Sequence, residues 1–146
     1  HRLKHYKEFV HTLADDEALL VETELPGEVH YWSAQVFDAF FGGIENVYQR
    51  SAANHEAFRV DRDGRVRIVV AAQDPGVPNW LTTGGWPCGG MMWRWNDADV
   101  YPRPAVTKIK LSTLRDVLPA DTPRFDRAQR QAQLRSHAAY YRTRAR

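Results

Sequence analysis

The chain carries a single cysteine, Cys88, so neither an internal disulfide nor a cysteine-based zinc site can form. A lone thiol favours a reducing, cytoplasmic compartment, with export after removal of a leader left open. Long apolar runs are also missing. The longest, around Ile68 to Ala72, has only the length of a strand and falls far short of the roughly 18 residues that span a bilayer. Charge of one sign is not in excess, since a net of +2 over 146 residues does not imply a nucleic-acid partner. The six histidines include no His-x-His pair, and His55-Glu56 lacks a second histidine four residues on, where Arg59 stands. His1 and His5 have the i, i+4 spacing but sit at a ragged terminus. No glycine pair is followed by Lys-Ser or Lys-Thr, which removes a phosphate-binding loop of that type. These absences lead us to expect no metal, no other cofactor, no membrane span and no nucleic-acid ligand.

What remains is enough for one domain over residues 1–146, with hydrophobic residues at 43%. Leu3, Tyr6, Phe9, Val10 and Leu13 follow helical spacing and predict a short amphipathic helix over residues 2–13. Strands are expected at Glu17–Leu25, ended by Pro26-Gly27, and at Val29–Asp38, where Tyr31, Ser33 and Gln35 share a face. Ile44–Arg50 reads as a third strand. Phe58–Val60 and Val66–Val70 flank Asp61-Arg62-Asp63-Gly64 and predict a hairpin, with Val66, Ile68 and Val70 inward and Arg65 and Arg67 toward water. Gly89–Trp95 places Met91, Trp93 and Trp95 on one face, and Ala105–Leu111 alternates Ile109 and Leu111 with lysines. Buried positions are expected at Val66, Ile68, Val70, Met91, Trp93 and Ile109. Strands at this spacing without intervening helices predict a mainly β fold, an antiparallel β-sandwich of jelly-roll type with its β-rich core over residues 17–111. Ser112–Leu118 predicts one or two helical turns capped by Ser112. Asp121-Thr122-Pro123 predicts the start of a basic C-terminal helix over about 122–142.

Several of these segments carry a resemblance. Glu17-Ala18-Leu19, Tyr31-Trp32-Ser33 with Gln35, the string Asp74-Pro75-Gly76-Val77-Pro78-Asn79-Trp80-Leu81 with Thr83-Gly84-Gly85, and Trp93-Arg94-Trp95 resemble the bacterial family called domain of unknown function 1214. Leu118-Pro119-Ala120-Asp121-Thr122-Pro123 before an arginine-rich helix is similar to one subgroup of it. The likeness covers roughly residues 16–146. It implies a jelly-roll-like β-sandwich and no established activity. It also implies that this chain could be the C-terminal part of a longer one. The subgroup's histidine near positions 86–87 is replaced here by Trp86-Pro87, so no role for it transfers.

Candidate chemistry centres on Asp74–Gly90, rich in proline, glycine and tryptophan. Proline fixes φ and glycine permits positive φ, so the segment is shaped rather than floppy. It could wall a pocket, with Asp74 and Asn79 as polar anchors and Trp80 and Trp86 as stacking surfaces. The plainer reading has Trp80 closing one end of the sandwich while Asp74 and Asn79 satisfy turn amides. Trp32, Trp93 and Trp95 are read as core rather than as a sugar-binding platform. Arg94, on the face opposite to Trp93 and Trp95, is read as solvated or ion-paired rather than as an anion clamp. Cys88 is read as an inert, partly buried thiol. A triad of His30, Asp74 and Ser33 has no support in spacing.

Two functional classes follow. The first is a non-catalytic or accessory domain that binds a partner chain or a small ligand. The second is an enzyme domain with an aromatic-lined pocket around the Asp74–Leu81 loop. In either, the ligand-binding candidates are Tyr31, Gln35, Asp74, Asn79, Trp80 and Arg94, and no catalytic residue is assigned. Residues 124–146 hold seven arginines against Asp126, a net of +6 that leaves −4 on the remainder. That helix is too poor in apolar residues to stand alone. Phe125, Leu134, Tyr140 and Tyr141 are expected to dock it on the N-terminal helix, through Tyr6, Phe9 or Leu13, or on a neighbouring subunit, giving a homo-oligomer or a complex with another chain.

Overall fold

A computed structural model describes residues 4–144, and His1, Leu3 and Arg146 of the readings above lie outside the described residues. The chain is mainly β. Its strands are β1 (Lys4–Thr12), β2 (Glu17–Glu24), β3 (Val29–Asp38), β4 (Ala52–Asn54), β5 (Arg65–Ala71), β6 (Trp80–Thr82), β7 (Cys88–Ala98) and β8 (Ala105–Lys110), followed by helices α1 (Leu114–Val117) and α2 (Arg127–Arg144). They form two four-stranded sheets, ordered β1-β7-β3-β4 and β6-β5-β2-β8. All pairings are antiparallel except β5 with β6.

One buried cluster draws on both sheets, so their inner faces share a core. Leu19, Val21, Val66, Ile68 and Val70 come from one sheet and Trp32, Val36, Met91, Trp93 and Trp95 from the other. Trp32 stacks on Trp93 with ring centroids 4.8 Å apart and on Phe58 at 5.4 Å. These indoles are at most 2% exposed, as expected of core. The outer face of the second sheet is covered too. Ala18, Leu20, Val69 and Ala71 pack against Val77, Leu114 and Leu118. Cover on both faces explains why β2 and β5 read as nearly continuous apolar runs. Glycine is required where β7 passes β1 and β3. A Cβ at Gly90 would lie 2.4 Å from the Phe37 ring and 2.4 Å from the Phe9 carbonyl oxygen.

Seven expectations are corrected. Residues 4–12 are a strand, not a helix, in nine-residue register with β7 from Lys4↔Asn96 to Thr12↔Cys88. The inward positions are His5, Lys7, Phe9 and His11, while Tyr6 and Val10 face outward. Apolar side chains on both faces imitate helical spacing, and cross-strand pairing overrides it. The β core therefore begins at Lys4, not Glu17. Ile44–Arg50 is a loop, because Glu45 accepts amide hydrogen bonds from Val47, Tyr48 and Gln49 and folds the segment on itself. Arg67 does not face water. Its guanidinium reaches Glu22, Asp61 and Asp63, and Asp63 is held at about pKa 2 by that hydrogen bond. Ile109 is half-buried on the edge strand β8. The basic helix starts five residues late, at Arg127, because Asp126 and Gln129 form a reciprocal cap, with Gln129 N–H donating to Asp126 and Asp126 N–H donating to Gln129. The turns before it, Leu111–Thr113 and α1, lack a side-chain cap, so Ser112 does not start them. Cys88, the first residue of β7, is exposed rather than partly buried.

No helix among the described residues is long and apolar enough to cross a membrane. No group of three His, Cys, Asp or Glu side chains among them could hold a metal ion.

Candidate functional site

The six candidate residues do not converge. Tyr31, Gln35 and Arg94 line one cavity, while Asp74, Asn79 and Trp80 lie outside its lining. The separation follows from register. Tyr31, Ser33 and Gln35 share the outer face of β3 with Arg94 of β7, since Ser33 pairs directly with Arg94. The Asp74–Trp80 loop instead leads into β6, at the edge of the second sheet.

In that loop each polar group already has a partner within the domain. Asp74 accepts the Gly76 amide at 2.9 Å and binds Arg130 of α2 through both oxygens, at 2.9 and 3.1 Å. Arg130, 4% exposed, also donates to the Val77 carbonyl and to Gln133, and its guanidinium lies over the rings of Trp80 and Phe125, at 4.9 and 4.5 Å. Asn79 accepts the Arg59 amide and donates to the carbonyls of Arg59 and Arg67, stapling the segment before the hairpin to β5. Trp80 is half-buried and donates its indole N–H to Ala71. The shaped loop is thus a receptor for an arginine of the same chain. A catalytic reading of Asp74 loses its acid to that pair.

The cavity has a volume of about 830 Å³ and lies between the outer face of β3 and β4 and the inner side of α2. Its floor is Tyr31, Ser33, Gln35, Ala52 and Asn54, and its far wall is Gln133, His137, Tyr140 and Tyr141. The Ile44–Arg50 loop holds α2 over it. His137 Nε2 meets the Asn46 carbonyl at 2.7 Å, Asn46 donates to the Tyr141 hydroxyl at 2.9 Å, and Arg142 donates to the Tyr48 hydroxyl at 2.9 Å. With β1 a strand, there is no N-terminal helix to receive α2, which docks on these two loops instead. The docking relies less on Leu134 and Tyr140 than on Arg130, His137 and Tyr141.

Cationic groups dominate the lining. Among the described residues Arg50, Arg94 and Arg144 face it, against the single carboxylate of Glu56. Arg94 lies 5.8 Å over the Tyr31 ring and 5.9 Å over the Tyr6 ring, with no ion pair among the described residues. Arg50 is 3% exposed, sits 5.0 Å over Phe58 and donates one hydrogen bond, from Nη2 to the Ala57 carbonyl. Desolvation, and then repulsion from Arg130, pull its pKa down to about 10. Sequence reasoning misses Arg50, His137 and Gln133. Arg50 stands in a stretch that reads as a strand, and the α2 residues stand among arginines that read as solvated. The one usable sign was a helix too weakly apolar to be free.

No family model matches the chain, and no curated protein matches it. Among solved structures it is similar to an uncharacterized protein from Burkholderia cenocepacia, at 30% identity and a TM-score of 0.72 over 76% of this chain and 31% of that one. It is also similar to the VPA0106 protein from Vibrio parahaemolyticus, at 19% identity and a TM-score of 0.61 over 73% of this chain and 31% of that one, a likeness of fold alone. The chain therefore spans about a third of the length of each of these structures.

Proposed function

We propose that this is an accessory, non-catalytic β-sandwich domain that binds a small ligand in the cavity between the outer face of β3 and α2. The observation that carries the reading is the cavity of about 830 Å³, which falls in the size range of small-molecule sites and is lined by convergent polar and aromatic side chains. Tyr31 and Gln35 supply a stacking ring and an amide, and α2 supplies a wall held by hydrogen bonds to the Ile44–Arg50 loop. The test is a fragment screen by amide NMR on the chain as it stands and on Gln35→Trp, which fills the floor. Shifts confined to Ser33, Ala53, Asn54 and His137, and lost in Gln35→Trp, support the reading. Shifts scattered over the surface, or none, overturn it.

The chain's crossings between sheets at β1–β2, β2–β3, β4–β5, β6–β7 and β7–β8 support a jelly-roll-type relation, the fold that the resemblance to the domain of unknown function 1214 family implies. Contact with a second copy or another chain is favoured by one observation. Val10 at 82%, Phe40 at 84% and the neighbouring Phe41 leave large apolar side chains in water. The exposed thiol of Cys88 supports a reducing, cytoplasmic setting.

A further inference from the structure

A buried cation needs a counter-ion, and the domain provides one for Arg130 and Arg67 but not for Arg50. Among the described residues no carboxylate pairs with Arg50. Its Nε is enclosed without any partner, and Nη1 makes no hydrogen bond. An unpaired buried guanidinium is costly, and it persists where something outside the fold completes it. Arg50 lines the cavity, so the missing partner can reach it from there. Glu56 lines the cavity as well but is exposed and forms no ion pair among the described residues, and the remaining charged groups, Arg94 and Arg144, are cationic.

We infer that Arg50 is the anion anchor of this cavity, and that its ligand is a small organic anion whose carboxylate or phosphate oxygens take the unused N–H groups of Nη1 and Nη2. A guanidinium presents its donors in a planar fork that fits two such oxygens at once. Arg94 at the Tyr31 edge adds a second positive charge along the floor, and the rings of Tyr31 and Tyr141 bracket the organic part. The selectivity expected is for an acid over its neutral isostere, because only the acid removes the unpaired charge. The inference rests on the cavity being a ligand site at all.

The experiment titrates the chain with benzoate, benzamide and phenyl phosphate, following cavity amides and the Arg50 Nε–H by NMR, in the parent, Arg50→Met and Arg50→Lys. In the parent, benzoate or phenyl phosphate binds at least about tenfold more tightly than benzamide and moves the Arg50 Nε–H signal. In Arg50→Met that preference disappears, and in Arg50→Lys it is partly kept. Should Arg50→Met not fold, the parent contrast and the Arg50 signal decide the matter. Which acid binds more tightly assigns the anion as carboxylate or phosphate. Equal binding of all three probes, unchanged in Arg50→Met, overturns the anion anchor while leaving a neutral ligand site in place. No perturbation of the cavity by any probe overturns both.

Discussion

Arg130 and Arg50 are both almost inaccessible to water, at 4% and 3%, and they lie close enough to repel one another. Their surroundings differ in every other respect. Arg130 has a bidentate carboxylate, two carbonyls, a side-chain amide and two aromatic rings. Arg50 has one carbonyl and one ring. A cation whose partners come from its own chain serves as a fastening, and removing it leaves other groups stranded. A cation that lacks those partners weakens the fold that holds it, so its retention points outward, to a ligand.

The largest effect expected from this contrast is that of Arg130→Ala. Breaking a buried pair costs roughly 3–5 kcal/mol, and because Asp74 is a third exposed the loss should fall near 3 kcal/mol. Urea unfolding measures it. A variant within about 0.5 kcal/mol of the parent, inside the range usual for surface substitutions, would show that α2 is held elsewhere.

Trp80→Ala sharpens the same side. A fully buried tryptophan loses roughly 3–5 kcal/mol on truncation, but Trp80 is half-buried, so about 2 kcal/mol is expected. Much of that is shared with Arg130, whose guanidinium lies on the ring. A double-mutant cycle should therefore give a coupling of about 1 kcal/mol. Independent, additive losses would mean that the ring is held by its Ala71 hydrogen bond rather than by the cation.

Arg50→Met should move in the opposite direction. A guanidinium pulled down to about 10 from its ordinary value penalises the fold by on the order of 3 kcal/mol at neutral pH, so its removal should be neutral to stabilising by on the order of 1 kcal/mol once lost packing is counted. The sign with pH follows from linkage. Below pH 10 both folded and unfolded chains hold the proton and the penalty is complete. As pH rises above about 10 toward the ordinary arginine range the folded chain releases its proton first, and the penalty fades. The difference between Arg50→Met and the parent should be flat from pH 6 to 9 and shrink above pH 10. A strongly destabilised Arg50→Met, at every pH, would make Arg50 a fastening like Arg130.

Much of this fold was legible in residues that obey period two. Val66, Ile68, Val70, Met91, Trp93 and Trp95 alternate cleanly, and all are core. The failures have physical causes. In β1 the apolar Tyr6 and Val10 face water while His5 and His11 face inward, so the pattern inverts where an edge strand meets polar neighbours. The strong Asp-Thr-Pro signal lost to Asp126 and Gln129 because a reciprocal cap satisfies two amides rather than one. Half of the candidate site was visible because Tyr31, Gln35 and Arg94 sit on strands whose faces can be counted. Arg50 and His137 were not, because loop curvature and helix docking bring together residues 87 positions apart, and no local pattern encodes that.

The smallest effect tests the cavity side of α2. Tyr141 accepts a hydrogen bond from Asn46 at 2.9 Å in an exposed setting, beside the His137–Asn46 contact and the Arg142–Tyr48 bond. Each such bond is worth about 0.5 kcal/mol net, and water replaces a lost one easily. Tyr141→Phe should therefore leave the unfolding midpoint within a degree or two, while amide exchange quickens locally over residues 137–143, since the end of a helix opens well before the whole domain does. That pattern would describe a wall anchored firmly at Arg130 and loosely at its far end, so that the cavity can admit a ligand without unfolding the domain. If Tyr141→Phe instead cost as much as Arg130→Ala, the two ends of α2 would be equally fixed. Arg130 would then be no stronger a fastening than the cavity wall, and a ligand could reach Arg50 only without movement of α2.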